Sequence, residues 1–152
     1  MAVRITGLMV CLLLFGGCAG VKEGMRGFAG ISTKVLEESR SSALNKTIPA
    51  AFEECFARTE VFLSAAGCYL YAKDKNKGLL AVYVSETDTT PVGCFLSRVD
   101  SGTTKLEVSS PGTAAREFVA GKVFGAWDKE LKARKVDVQL NAVEQNESGK
   151  AE

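Results

Sequence analysis

The chain contains no histidine among its 152 residues. Histidine is the usual general base near neutral pH and the commonest zinc ligand. Its absence excludes Ser-His-Asp and Cys-His nucleophile systems. Lysine or carboxylate chemistry stays open, but no spacing points to it. The chain therefore reads as a non-enzyme with no metal and no cofactor. An excess of one charge is missing too. The net charge is +1, and Arg4 is the only charged residue before Cys18, so a chain beginning at Cys18 is neutral. A neutral domain has no electrostatic pull on nucleic acid and no polybasic pull on anionic lipid. No apolar run approaches the ~20 residues that span a bilayer, and there is no CxxC pair. Only three prolines are present.

The first thing that is there is an export signal, residues 1–17. Arg4 supplies the positive start, and Ile5 to Phe15 is an apolar stretch of about 11 residues, the length of a signal core rather than a span. Leu14-Phe15-Gly16-Gly17-Cys18 resembles a lipobox, with Phe15 where leucine is preferred and small residues where a peptidase must approach the backbone. The resemblance implies lipidation of Cys18. Several acyl chains at ~0.8 kcal/mol per buried CH₂ anchor a protein stably. The partner implied is thus the membrane, through the N-terminal lipid. Ala19 is not the aspartate that holds such proteins at the inner membrane, so the expected location is the periplasmic side of the outer membrane.

Residues 18–30 carry glycines at 20, 24, 27 and 30 and read as a flexible tether. An α+β domain is expected over 31–134. Ser32 caps a short helix to about Ser42, and 43–48 is a weak strand, not certain to join the sheet. Pro49 opens an amphipathic helix with Phe52, Cys55, Phe56, Thr59, Phe62, Leu63 and Ala66 on one stripe, ended by Gly67. Four strands follow at 68–73, 79–86, 92–99 and 103–109, with connections short enough to make neighbours antiparallel. The alternation of Thr104, Leu106 and Val108 with polar residues predicts one wet face. Thr113 then caps a helix to about Arg134, with Ala120, Val123, Phe124, Trp127 and Leu131 facing the core. Residues 135–152 read as a polar, largely disordered tail, in which Val136, Val138 and Leu140 fit a short strand. The expected fold is a two-layer α+β domain: an antiparallel sheet of four to five strands under two long helices, in the order β-α-β-β-β-β-α.

Of five cysteines, Cys11 falls in the signal and Cys18 takes the lipid. Cys55, Cys68 and Cys94 remain. In a simple meander Cys68 and Cys94 stand two strands apart, about 9.5 Å, beyond disulfide reach, so they read as small buried hydrophobes. The candidate contact site is the hairpin loop Ser85, Glu86, Thr87, Asp88, Thr89, Thr90 and Pro91. Asp88 is placed for an Asx turn, and Pro91 holds Thr90 extended. Gly93 beyond it permits a bulge or a close backbone approach. Tyr69, Tyr71 and Tyr83 share a sheet face, as a solvated surface or an aromatic contact patch. Trp127 reads as a core anchor.

Gly30-Ile31-Ser32-Thr33-Lys34, Tyr71-Ala72-Lys73-Asp74, Ser85 to Gly93 and Leu106 to Pro111 resemble motifs of an uncharacterised family of small bacterial lipoproteins. The element order is similar to helix-grip domains of the BamC type, lipoprotein accessories of outer-membrane barrel assembly. That likeness is one of fold and does not fix function. The expected function is a non-catalytic, membrane-tethered module binding an envelope protein, in envelope assembly or maintenance, through a sheet edge or the 85–91 loop. The alternative is a small-molecule or lipid carrier, with a cavity lined by Phe52, Phe56, Phe62, Phe124 and Trp127.

Overall fold

Residues 33–148 are described by a computed structural model, with side chains as far as Gln139. The export signal, Cys18 and the glycine-rich tether lie outside the described residues.

The elements are α1 (Thr33–Glu38), running on as a 3-10 turn (Ser39–Ser42), β1 (Leu44–Ile48), α2 (Phe52–Ala65), β2 (Tyr69–Asp74), β3 (Leu79–Tyr83), β4 (Pro91–Arg98), β5 (Thr104–Ser109) and α3 (Thr113–Ser148). The domain is α+β, with one antiparallel five-stranded sheet in the order β1-β5-β4-β3-β2. The four later strands meander, as their short connections require. The weak strand at 43–48 does join the sheet, pairing Leu44 with Val108 and Ile48 with Thr104 at the β5 edge.

α2 begins at Phe52 rather than at Pro49, with Ala51 extended ahead of it. Glu53 and Glu54 occupy its first turn, where the helix dipole favours carboxylates. Gly67 ends it at φ +80°. The Cys68 N–H donates to the Leu63 carbonyl at 3.1 Å and the Gly67 N–H to Ser64 at 3.0 Å, a Schellman closure that needs a left-handed residue.

The core lies between one sheet face and the two helices. Ile48, Leu80, Val82, Val92, Cys94, Leu106 and Val108 meet Phe52, Phe56 and Leu63 of α2 and Val119, Val123 and Trp127 of α3. The Trp127 ring N–H donates to the Thr59 hydroxyl at 3.2 Å, and Phe62 packs edge-on against the indole at 5.3 Å. Trp127 is thus the core anchor expected.

The expectation of a wet second face is corrected in its middle. Leu36 of α1 is fully buried against Leu79, Ala81 and Phe95. A Cβ on Gly93 would stand 3.2 Å from Leu36 and 2.8 Å from the Phe95 ring, so this glycine serves the close approach. The Ser109 hydroxyl donates to the Leu36 carbonyl at 2.9 Å. The sequence signal lay in β3 and β4: Leu-Leu-Ala-Val and Pro-Val-Gly-Cys-Phe-Leu are continuous apolar runs, the mark of strands covered on both faces.

A second correction concerns the C-terminal segment. α3 does not stop near Arg134, and residues 135–140 are not a strand, because the helix runs on to Ser148. Arg134 donates to Glu130 one turn back and to Glu54 on α2, and Val138 stands two turns after Leu131 beside Pro49. An every-second-residue pattern of only three valines and leucines is also compatible with a helix, which is why the alternation misleads. Among the described residues no helix is long and apolar enough to cross a membrane.

Candidate functional site

The 85–91 loop joins β3 to β4, and its own side chains build it. The Val84 N–H donates to the Thr90 carbonyl at 3.2 Å and the Ser85 N–H to the Asp88 carbonyl at 3.1 Å. The Ser85 hydroxyl oxygen accepts from the Asp88 N–H at 2.9 Å and from the Thr87 N–H at 3.3 Å. Asp88 accepts the Thr90 N–H at 3.0 Å and the Thr90 hydroxyl at 2.7 Å. This is the Asx turn expected from the sequence. The Thr90 hydroxyl and then its N–H hold the Asp88 carboxyl below its ordinary value, so it stays ionised. Pro91 is buried, and its carbonyl accepts the buried Ser110 hydroxyl at 2.7 Å. Glu86, Thr87, Asp88 and Thr89 are exposed. The loop is thus a fixed shape with its polar tips in solvent, the arrangement in which contact residues are held by a rigid scaffold.

β2 and β3 bring the tyrosines to the same corner. Tyr69 pairs with Tyr83 across the ladder, and Tyr83 pairs with Pro91. A bulge between Leu70 and Ala72 inserts Tyr71 as an extra residue. The Tyr83 ring lies between its neighbours, 6.3 Å from Tyr69 and 4.3 Å from Tyr71, nearly parallel to both. Tyr71 is the inner end of this stack, beside the Leu36 cluster. Burial, with Tyr83 nearby, pushes its phenol up to about 12, and its hydroxyl has no partner among the described residues. Tyr69 is the outer end, 52% exposed. The sequence foresaw the shared face; it did not show the bulge, nor that neighbouring Leu70, 37% exposed, leaves β2 apolar on both sides of the sheet edge.

Cys55, Cys68 and Cys94 are free thiols. Cys94 lies under the helices, where burial, with the Cys68 thiol adding to it, pushes it up to about 12. Cys55 and Cys68 are raised by burial as well. Such thiols stay protonated near neutral pH, which slows their reactions. Among the described residues no three acidic, cysteine or histidine side chains stand close enough to hold a metal ion. Phe52, Phe56 and Trp127 are spent on the core, with Phe62 and Phe124 packed against it. A separate open groove of about 420 Å³ runs between Pro49 and Leu131, Arg134, Lys135, Val138 and Gln139 of α3.

The loop and the tyrosine stack therefore meet at one corner of the sheet, at the start of edge strand β2. Comparison with known proteins adds no name to this corner: no protein-family model and no curated protein matches the chain.

Proposed function

We propose that the protein is a lipid-anchored bacterial envelope module whose exported domain binds another envelope protein without catalysing a reaction. The lipid sits on Cys18, the tether leads to a helix-grip-like domain in which the sheet holds α2 and α3, and the location is the periplasmic side of the outer membrane. Family membership among the small bacterial lipoproteins belongs to the same proposal. The observation that carries the binding role is the corner itself. A self-bonded loop with exposed tips stands beside a stack of tyrosine rings whose outer member, Tyr69, is exposed, and rigid aromatic residues supply contact area at little entropic cost.

Two measurements test it. Intact mass of the membrane-extracted protein is expected to show a chain starting at Cys18 and carrying diacylglycerol, and Cys18→Ala is expected to release the domain from the membrane. Gentle extraction of the C-terminally tagged protein is expected to recover one envelope protein that is absent from the Cys18→Ala preparation. Recovery of the same proteins from both preparations contradicts the proposal. The groove beside Pro49 gives the lipid-carrier reading its one supporting observation. Organic extraction of the purified protein, expected to return no bound lipid beyond the anchor, separates the two readings.

A further inference from the structure

We infer that the β2 corner receives an extended, basic segment of its partner, with an arginine or lysine seated on the exposed ring of Tyr69 between that ring and the carboxylates of the 85–91 loop. This deepens the interaction-module reading and rests on it.

Three observations converge. First, β2 is an edge strand among the described residues, and only its second half is protected. The bulge at Tyr71 and the charges of Lys73 and Asp74 guard that half, by the devices that edge strands use against unwanted pairing. The first half carries Tyr69 on one side and Leu70 on the other, both exposed. An extended segment pairing there gains backbone hydrogen bonds and covers both side chains.

Second, the domain has seated its own cations over other rings. Arg40 lies over Phe95 at 4.6 Å and Arg98 over Phe52 at 4.2 Å, and Lys46, Arg58, Lys73 and Lys122 also lie over phenylalanines. None of these cations reaches a tyrosine. Tyr69 lies nearly parallel to Tyr83 at 6.3 Å and is 52% exposed, and a ring face is electronegative.

Third, the charges are unbalanced between the two ends of the β2–β3 hairpin. At the 73–78 turn Lys73, Lys75 and Lys77 are each paired with a glutamate: Glu60, Glu53 and Glu37. At the opposite end Glu86 and Asp88 make no ion pair with a described residue, and hydrogen bonds from Thr90 keep Asp88 ionised. Glu86 lies three residues past Tyr83, the ladder partner of Tyr69, so the loop carboxylates belong to the same end of the hairpin as that ring. A guanidinium can stack its plane on a ring while its N–H edge donates to a carboxylate.

The test titrates the full-length protein in detergent, with ¹³C-labelled tyrosine rings, against a capped hexapeptide alternating threonine and arginine. The control peptide has citrulline in place of arginine, which keeps the shape and removes the charge. The arginine peptide is expected to shift the Tyr69 and Tyr83 ring signals saturably. Binding is expected to weaken about tenfold with citrulline, and about fivefold in Tyr69→Ala or in the Glu86→Gln/Asp88→Asn pair. Asparagine keeps the oxygen that closes the Asx turn, so the loop survives that change. Equal binding of the citrulline peptide overturns the inference. So does the absence of saturation up to about 5 mM, a range covering the weakest specific binding. Ring shifts that follow protein concentration without peptide point to a second copy of the chain and overturn it too. A Cys18-dependent partner recovered alongside equal citrulline binding removes this inference alone; failure to recover any such partner removes the module reading beneath it.

Discussion

Single residues show most sharply where the backbone and core have no slack. Gly78 sits at φ +64°, and a Cβ there would stand 2.0 Å from the Leu96 carbonyl oxygen, which belongs to backbone and cannot move aside. Gly78→Ala is expected to cost more than the ~1–2 kcal/mol of a left-handed alanine. Gly121, on the exposed face of α3, has open space where a Cβ would go; Gly121→Ala is expected to stabilise by about 0.5–1 kcal/mol. Urea denaturation of the two variants checks both signs at once. The thiols set an alkaline limit. Cys94 is raised from 9.0 to about 12 in the fold, so the unfolded chain loses this proton first. Its contribution is complete below pH 9 and disappears as the pH climbs towards 12. Cys94→Val is expected to flatten the fall in stability between pH 9 and 10, before Tyr71, raised from 10.0 to about 12, adds its own slope. Thiol alkylation of the native protein at pH 8 is expected to reach half-buried Cys68 well before Cys55 or Cys94. That the cysteines and Trp127 belong to the core was readable from their apolar settings. That Tyr71 would be wedged between Tyr83 and the Leu36 cluster was not, because a bulge depends on two strands together and leaves no mark in either alone.

At the scale of elements, α1 buries one side chain, Leu36. Leu36 fills the hollow over Gly93, and Ser109 ties its carbonyl. Leu36→Ala is expected to cost about 2–5 kcal/mol, the usual range for a buried leucine, and to raise hydrogen exchange across β3 and β4. The charged belt around this face has a pH dependence of its own. Burial lifts the Glu107 carboxyl, but hydrogen bonds and charge from Arg40 and Lys105 bring it, on balance, below 4.5. Its stabilisation is therefore present above that value and is lost as the pH falls through the lower folded value. Arg40→Gln is expected to make acid unfolding begin at higher pH. The strands and α2 were legible to within a few residues because burial on one side imprints a period on the chain. The helix beyond Arg134 was not, since the described side chains that meet the core end at Leu131 and a solvated helix carries no such period.

For the whole molecule, two asymmetries underlie the proposed binding role. Two helices pack on one sheet face, and α1 covers the middle of the other, which leaves Tyr69 exposed beside the loop. The 73–78 end of the β2–β3 hairpin is neutralised by its own ion pairs and the 85–91 end is not. Sequence alone marked the loop as a contact site. It could not reveal the alignment of Tyr69, Tyr83 and Pro91, which arises only from the strand register. The most direct test of the membrane-tethered interaction module is photo-crosslinking in intact cells. A photoreactive amino acid is placed at position 86, and at position 99 on the far side of the sheet as control, in the full-length chain. One discrete envelope-protein adduct is expected from position 86, absent from position 99 and lost when Cys18→Ala is added. Equal adducts from both positions, no adduct from position 86, or one that survives Cys18→Ala contradicts it.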